Sequence, residues 1–462
     1  MTATAARAAA LVSEPVPRAL FKLAVPVLAS QALRLGYQWV DAMWVKGLGV
    51  QATAAVTTSV FVMWCVYSLN DVFGVGLSAY VSQLVGAGDR DRAGVAVRKA
   101  LTASAVMGLA CALAGLAFAR PLFAFVDPAG TVVEAGSTYL RIVLLGAPFV
   151  MTALTAESAM RAAGNTRTPL LVDTLSIVLN IALAPVLIYG LGPAPRLGVA
   201  GAACATVCAQ LVLVVCYAAI AARRHPAFPL ARRAPGAPVR IIGLARVGVP
   251  AALIGILFSV VYLAFVRAAS PFGGAAVAIV GVANRVEAIQ FILSASIGLA
   301  GATLLGQALG AGATERADEV LRTAQRWAVA IASVITVLLF AWPTAFLALF
   351  TRDPDLIRIG VPYLRVLALT IVATGIEITT AEAVLGSGHT REMSAIYTVI
   401  SLLRIPLAFA VTRWWHAGVL GIAWLITITC ILRSVVLVGW AGRGTWKRGL
   451  ARELRGETIA QR

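Results

Sequence analysis

The sequence predicts an all-α membrane protein: twelve transmembrane helices in two pseudo-symmetric six-helix lobes, related by a parallel internal repeat. Three observations carry this. The 462 residues are 60% hydrophobic and 13% charged, about half the charged share of a soluble domain. The apolar runs exceed the ~20 residues a spanning helix needs and lack the alternation of barrel strands. The second half also repeats the first at an offset of 224 residues, and basic residues are sorted onto alternate loops.

The repeat shows in three separate blocks and a single proline. VSQLVGAGDRDRA (81–93) returns as LGQALGAGATERA (305–317), so that Gln83, Gly86, Gly88 and Arg92 match Gln307, Gly310, Gly312 and Arg316. Tyr139-Leu140-Arg141 returns as Tyr363-Leu364-Arg365, Gly164-Asn165-Thr166-Arg167 as Gly388-His389-Thr390-Arg391, and Pro26 as Pro250. Two hydrophobic halves of this kind are the layout of a secondary transporter with its site between them.

In chain order, the first span covers 21–45 and is interrupted by Pro26. The second, 56–85, closes on the GAG turn, where glycine permits a left-handed helix end. The third, 96–119, follows a charged helix start. The fourth, 137–160, holds the Tyr-Leu-Arg triplet and Pro148 and ends at the GNTR turn. The fifth, 169–191, contains Pro185, and the sixth runs over 197–222. The second half gives 245–267 with Pro250, 276–309 closing on the second GAG turn, 318–341, 360–384 with the second triplet, 393–413 with Pro406, and 418–441. Each internal proline removes a backbone hydrogen bond and permits a bend. Static kinks account for most of them, while Pro26 and its counterpart Pro250 are hinge candidates. A GxG phosphate loop is a poor reading of the GAG turns, since no strand precedes them and no Lys-Ser/Thr follows.

These spans divide the chain into an N-lobe (1–222), a cytoplasmic linker (223–244), a C-lobe (245–441) and a basic cytoplasmic tail (442–462). The linker holds five Arg and four Pro between 223 and 240, a composition that resists helix formation. The tail reads either as a short basic helix on the membrane surface or as a disordered segment. The leader is short and poorly apolar and the first apolar run is a full span, so no cleavable signal peptide is expected.

The net charge of +18 is a topology signal and does not point to nucleic acid. The loops on the face that holds both termini carry 25 Lys and Arg, and the opposite face carries 7. The positive-inside rule then places both termini in the cytoplasm of a bacterial-type inner membrane, with anionic lipid contact as a by-product. The six cysteines (65, 111, 204, 208, 216, 430) all lie in apolar segments and read as buried small hydrophobes. No Ser/His/Asp set, metal-ligand cluster or nucleotide loop stands out, so the sequence offers no catalytic residues, no cofactor and no enzyme activity.

Polar groups within spans cost about 2.5–3.5 kcal/mol for a central charge and so need a reason. The first half carries the densest set: Arg34, Tyr37, Gln38 and Asp41 in span one, Asn70 and Asp71 in span two, Glu157 in span four, Asp173 and Asn180 in span five, and Thr206 in span six. Tyr37 and Asp41 share a helix face one turn apart. The repeat does not preserve this set, because Asp41, Asn180 and Glu157 match Phe265, Arg404 and Ala381. That asymmetry favours a cation site in the first half alone, with Asp41 suited to binding and releasing an ion. The competing account is a hydrogen-bonded cluster that pins helices together; it stands level for Glu157 and Asn180 and is preferred for Asp71 and Asp173. In the second half, Arg285, Glu287, Glu377, Glu382 and Arg404 suggest an interhelical Glu–Arg pair. Gln38, Arg34, Asp71, Asp173, Glu287, Glu377 and Arg404 are candidate substrate-cavity residues.

Several stretches together resemble the multidrug and toxic-compound extrusion (MATE) family: 23–49, 81–93, 160–190 and 198–210 in the first half, and 304–317 and 385–411 in the second. The resemblance covers nearly the whole chain. It implies export of organic cations and other amphiphiles, driven by inward flow of protons or sodium, as two lobes rock between outward and inward faces. It places Asp41 at the family's first-span acid, although Lys46 stands where that motif has Gly. Asn180 falls on the Asn of the fifth-span NxxLDP pattern and Thr206 on the sixth-span Thr. The Asp of NxxLDP is Ala184 here, and Glu157, four residues before Arg161, stands where the family often has Asn; Glu157 is therefore a candidate replacement for the lost acid. The implied coupling-cation site is Asp41, Asn180, Glu157, Thr206 and Tyr37, with sodium at Asp41 as the sole metal in question. The seventh span holds no acid, and Phe258 occupies the position where other branches use Glu, which favours the DNA-damage-inducible (DinF-type) branch. A flippase for lipid-linked or polysaccharide precursors, and a non-transporting scaffold or receptor, are the alternatives.

The charge asymmetry makes a direct prediction. Labels at Arg232 and the C-terminus are expected to react only from the cytoplasm, and labels at Arg196 and Arg352 only from outside. Reversed accessibility at Arg196 and Arg232 overturns the orientation.

Overall fold

The computed structural model describes residues 14–126, 130, 132–223, 228, 230–231, 234–235, 238–348, 353–414 and 418–450. The label positions Arg232 and Arg352, the histidines His225 and His416, and the tail beyond Leu450 lie outside them.

Among the described residues the fold is helical throughout. The N-lobe contains α1 (Val16–Lys46), α2 (Val50–Gly86), α3 (Arg90–Val126), α4 (Val133–Leu145), α5 (Ala147–Ala162), α6 (Arg167–Tyr189) and α7 (Val199–Ala222). The C-lobe contains α8 (Ile241–Ala269), α9 (Gly274–Gly310), α10 (Thr314–Ala341), the short α11 (Pro343–Ala348), α12 (Pro354–Leu385), α13 (Thr390–Phe409) and α14 (Gly418–Gly442). Eleven helices are long and apolar enough to cross a membrane, and α4 with α5 forms a twelfth span bent by 47°. The bend falls at Gly146 and Pro148, where proline supplies no amide to the preceding turn. The twelve spans expected from sequence are thus present, and the protein is a multi-pass membrane protein.

Local chemistry explains the turns. Asp89 Oδ1 accepts from the Arg92 amide at 3.0 Å and starts α3, and Asn165 Oδ1 accepts from the Thr168 amide at 3.1 Å at the start of α6. Both are side-chain caps on otherwise unpaired amides. Gly88 and Gly312 adopt φ of 79° and 75° at matching points of the two GAG turns, as glycine allows. α1 and α8 run unbroken through Pro26 and Pro250.

The lobes meet along α2 with α8 and α9, and α1 with α9. A Cβ on Gly86 would strike the Gln307 carbonyl, and one on Gly310 would strike the Gln83 carbonyl. A Cβ on Gly76 would meet the Leu244 carbonyl, and one on Gly248 those of Asp71 and Val72. These four approaches lie toward the side where Glu14 meets the start of α10 and Leu450 the end of α2. The same ends exchange hydrogen bonds: Gln83 Nε2 donates to the Gly386 carbonyl at 2.8 Å, and Gln307 Nε2 to the Ala162 carbonyl at 3.0 Å. Both pairs obey the 224-residue offset, so the seam has a pseudo-twofold axis. Small residues let helix backbones approach in lipid, where packing replaces the hydrophobic effect as the driving force.

Two expectations need correction. Only Cys430 is buried; Cys65 and Cys208 are exposed and the other three intermediate, because many apolar helix faces turn outward toward lipid. The tail does not begin as a surface helix or a disordered segment. Thr445–Arg448 forms a 3-10 turn with Trp446 fully buried, since an indole finds more apolar contact between the lobes than on the surface.

Gly310→Ala is expected to lower the thermal unfolding temperature in detergent, at the ~1–3 kcal/mol scale of overpacking. Gly439→Ala, at a helix position with open space around it, is expected to leave it unchanged or slightly raised. Thermal melts of the two variants against the parent check this.

Candidate functional site in the N-lobe

Two polar groups occupy the N-lobe interior, and α1 supplies the central residues of both. The inner one is an ion cluster. Arg34 Nη2 donates to Glu157 Oε2 of α5 at 2.6 Å and to Asp173 Oδ1 and Oδ2 of α6 at 3.0 and 2.9 Å. Arg161 Nη1 donates to Glu157 Oε1 at 2.5 Å. Glu157 and Asp173 are 2% and 3% exposed, so each carboxylate is withdrawn from water and compensated within the cluster. Two guanidinium groups face two carboxylates, and the set is neutral. Such a network stabilises little relative to an apolar core but is costly to break.

The second group lies one to two turns further along α1. Tyr37 Oη and Thr206 Oγ1 of α7 share a hydrogen bond at 3.4 Å, and Asn180 Nδ2 of α6 approaches the same hydroxyl at 3.5 Å. Thr206 Oγ1 donates in turn to the Ala202 carbonyl at 3.1 Å. Asp41 follows Tyr37 by one turn. It is half-buried, and its Oδ1 is shielded from solvent with no hydrogen-bond partner among the described residues. Beyond it, Tyr189 Oη donates to the Trp44 carbonyl at 2.7 Å and ties the end of α1 to α6. A carboxylate oxygen without a donor, one turn from the Tyr37–Thr206 pair, has the chemistry to take a proton or a small hard cation.

The structure therefore brings together Tyr37, Asn180 and Thr206, with Asp41 one turn beyond Tyr37 on α1, and it places Glu157 with Arg34, Asp173 and Arg161. Gln38 is exposed on α1, and Asp71 is half-buried on α2 near the seam. Ala184 is fully buried in the apolar packing of the lobe. Among the described residues no three His, Cys, Asp or Glu side chains gather as a metal site.

The C-lobe interior differs. Arg404, which matches Asn180 in the repeat, donates to Thr429 Oγ1 at 2.8 Å and Cys430 Sγ at 2.9 Å. Glu377 pairs with Arg433 of α14 at 2.6 Å, and that guanidinium lies 4.4 Å from the Tyr397 ring centre. The expected interhelical Glu–Arg pair exists, with Arg433 as the base. Glu287 is half-buried on α9. Sequence reasoning missed the partnerships of Arg161 and Arg433. Arg161 follows Glu157 by one turn, the spacing at which a helical pair forms, so that partnership was legible in the sequence.

The MatE family model matches the chain twice, over residues 26–186 and 250–410. The chain belongs to the MATE family of membrane transporters, and the two matches stand at the internal repeat's own offset. Over 432 residues it is 27% identical to a FAD transporter of Shewanella oneidensis, covering 92% of this chain and 94% of that one. It is 28% identical over 452 residues to the probable multidrug resistance protein NorM of Thermotoga maritima, covering 95% of each. Its fold matches the outward-facing conformation of a multidrug resistance MATE family transporter with a TM-score of 0.87, at 24% identity over 95% of this chain and 97% of that one.

Arg34→Leu is expected to destabilise the protein by about 3–5 kcal/mol, toward the lower end because the guanidinium is partly exposed. It leaves Asp173 without its donor and Glu157 with one arginine. Adding Asp173→Asn is expected to recover part of the loss. Thermal or denaturant unfolding of the single and double variants measures the coupling.

Proposed function

We propose that this transporter is a cation-coupled antiporter, of the DinF-type branch, that exports amphiphilic or cationic organic compounds by alternating access between its lobes. One observation carries the reading: the shielded, unpartnered Asp41 Oδ1, one helical turn along α1 from the Tyr37–Thr206–Asn180 hydrogen bonds. A carboxylate left without a donor in a lobe otherwise rich in hydrogen bonds is suited to take a proton, or sodium, from outside and release it within.

The Glu157–Asp173–Arg34–Arg161 set holds its charges in place, which leaves Asp41 as the acid of α1 able to exchange. Arg34 and Arg161 are both engaged by carboxylates, which favours a cationic or amphiphilic substrate over a lipid pyrophosphate and sets the flippase alternative behind. Gln38, Asp71 and Glu287 remain the cavity candidates, whereas Glu377 is buried against Arg433. Pro26 lies in α1 between the seam and Arg34, where a bend would move Asp41 relative to Thr206. With both termini in the cytoplasm, the closely packed seam is the inner gate. One proton crossing ~100 mV contributes about 2.3 kcal/mol and one pH unit about 1.4 kcal/mol. Together these support a substrate gradient of roughly several hundred-fold.

The test is drug uptake by inverted vesicles with proton and sodium gradients imposed separately. Asp41→Asn, which preserves shape and removes the titrating group, is expected to abolish ion-driven uptake while the protein still folds. Normal uptake by that variant sinks the assignment. Glu157→Gln distinguishes the two polar groups: as a member of the ion cluster it is expected to lower stability and leave the ion dependence unchanged.

A further inference from the structure

Beyond α14 the chain turns back into the seam between the lobes. Trp446 is fully buried in a cluster that holds Val16, Ala19 and Leu20 of α1 together with Ala317, Val320 and Leu321 of α10. Its Nε1 donates to the Ala441 carbonyl at 2.8 Å. Lys447 Nζ pairs with Asp318 of α10 at 2.5 Å. The Leu450 amide donates to Gln83 Oε1 at the end of α2 at 2.8 Å. The Leu450 side chain lies over Gly388 in the α12–α13 turn and joins a cluster with Leu77, Leu244 and Val247. Six residues thus grip both lobes at their tightest approach.

The repeat shows that this grip is an addition. Gln83 and Gln307 make equivalent bonds through Nε2. The tail amide occupies Gln83 Oε1, whereas Gln307 Oε1 is buried with no partner among the described residues. The seam therefore closes through its symmetric bonds alone, and the tail holds one copy of the glutamine in addition. Parting the lobes on this face breaks Gln83 from Gly386. The tail cannot then keep Gln83 at Leu450 and Asp318 at Lys447, and Trp446 loses one of its two walls.

We propose that residues 445–450 are a latch that holds the cytoplasmic face closed and biases the transporter toward its outward-open state. The direction of motion rests on the alternating-access reading above. Removing a fully buried indole from the closed state alone is expected to shift the closed-to-open ratio by about tenfold or more.

The test is a distance measurement in proteoliposomes. Spin labels replace Asp91 and Glu315, which are exposed, equivalent by the repeat and on opposite lobes. The native cysteines are replaced, with Cys430→Ser keeping an acceptor for Arg404. The parent is expected to show a dominant short distance, with a longer one growing under an imposed ion gradient. Trp446→Ala and Lys447→Glu are each expected to enrich the longer distance at rest, and Lys447→Glu with Asp318→Lys to return it toward the parent. If the parent switches and the single variants match it, or if the charge exchange restores nothing, the latch is overturned. A parent whose distance never changes overturns the alternating-access reading, and the latch with it. Lys447 is partly exposed, so its variant keeps the test informative should Trp446→Ala fail to fold.

Discussion

The fold depends on bringing two helix backbones into contact at Gly86 and Gly310. Each glycine faces the carbonyl of a glutamine in the other lobe, and neither position has room for a methyl group. In lipid, separated helices lose little by remaining apart, so close backbone packing and cross-helix hydrogen bonds must supply the association. The Gln83 and Gln307 amides add those bonds at the same two points. These closest approaches fall where α2 and α9 end, and further along the seam α2 meets α8 at Ser68 with Gly255 and at Trp64 with Phe258.

Within the N-lobe the governing constraint is satisfaction of polar groups away from water. The buried charges of Glu157 and Asp173 are tolerable because Arg34 and Arg161 meet them, and serine and threonine hydroxyls elsewhere return their hydrogens to backbone carbonyls one turn back, as Ser59 and Thr174 do. Asp41 departs from that rule. A shielded carboxylate oxygen left without a donor is a cost to stability that an exchanging ion would offset, which would link the packing of the lobe to transport. The ion cluster also holds α1 against α5 and α6 just below Tyr37, so the free segment of α1 around Asp41 is bounded by Arg34 on one side and by Tyr189 on the other.

The departures from the repeat mark where the two lobes differ in chemistry. Where the halves agree, as at the GAG turns, the seam glutamines and the Tyr-Leu-Arg triplets, the residues build the shared architecture. Where they differ, as at Asp41 against Phe265 or Asn180 against Arg404, each lobe does something the other does not. Arg404 illustrates the contrast: at the place of a candidate ion ligand it is tied to Thr429 and Cys430 and secures α13 to α14.

The sequence by itself determined the span number and the two-lobe repeat, and it singles out Tyr37, Asp41, Asn180 and Thr206 as candidates. These follow from hydropathy over ~20 residues, from an offset visible in the letters and from matches to family motifs. Tertiary structure alone decided which charges meet. Glu157 reads as a replacement for the acid missing at Ala184, yet it lies on Arg34 and Arg161, because pairing across helices depends on helix rotation and depth, which periodicity does not fix. The same holds for Glu377 with Arg433. The tail is the clearest case: its composition suggests a basic surface segment, but Trp446 and Leu450 find their apolar partners only where both lobes come together, in a seam that exists once the chain has folded.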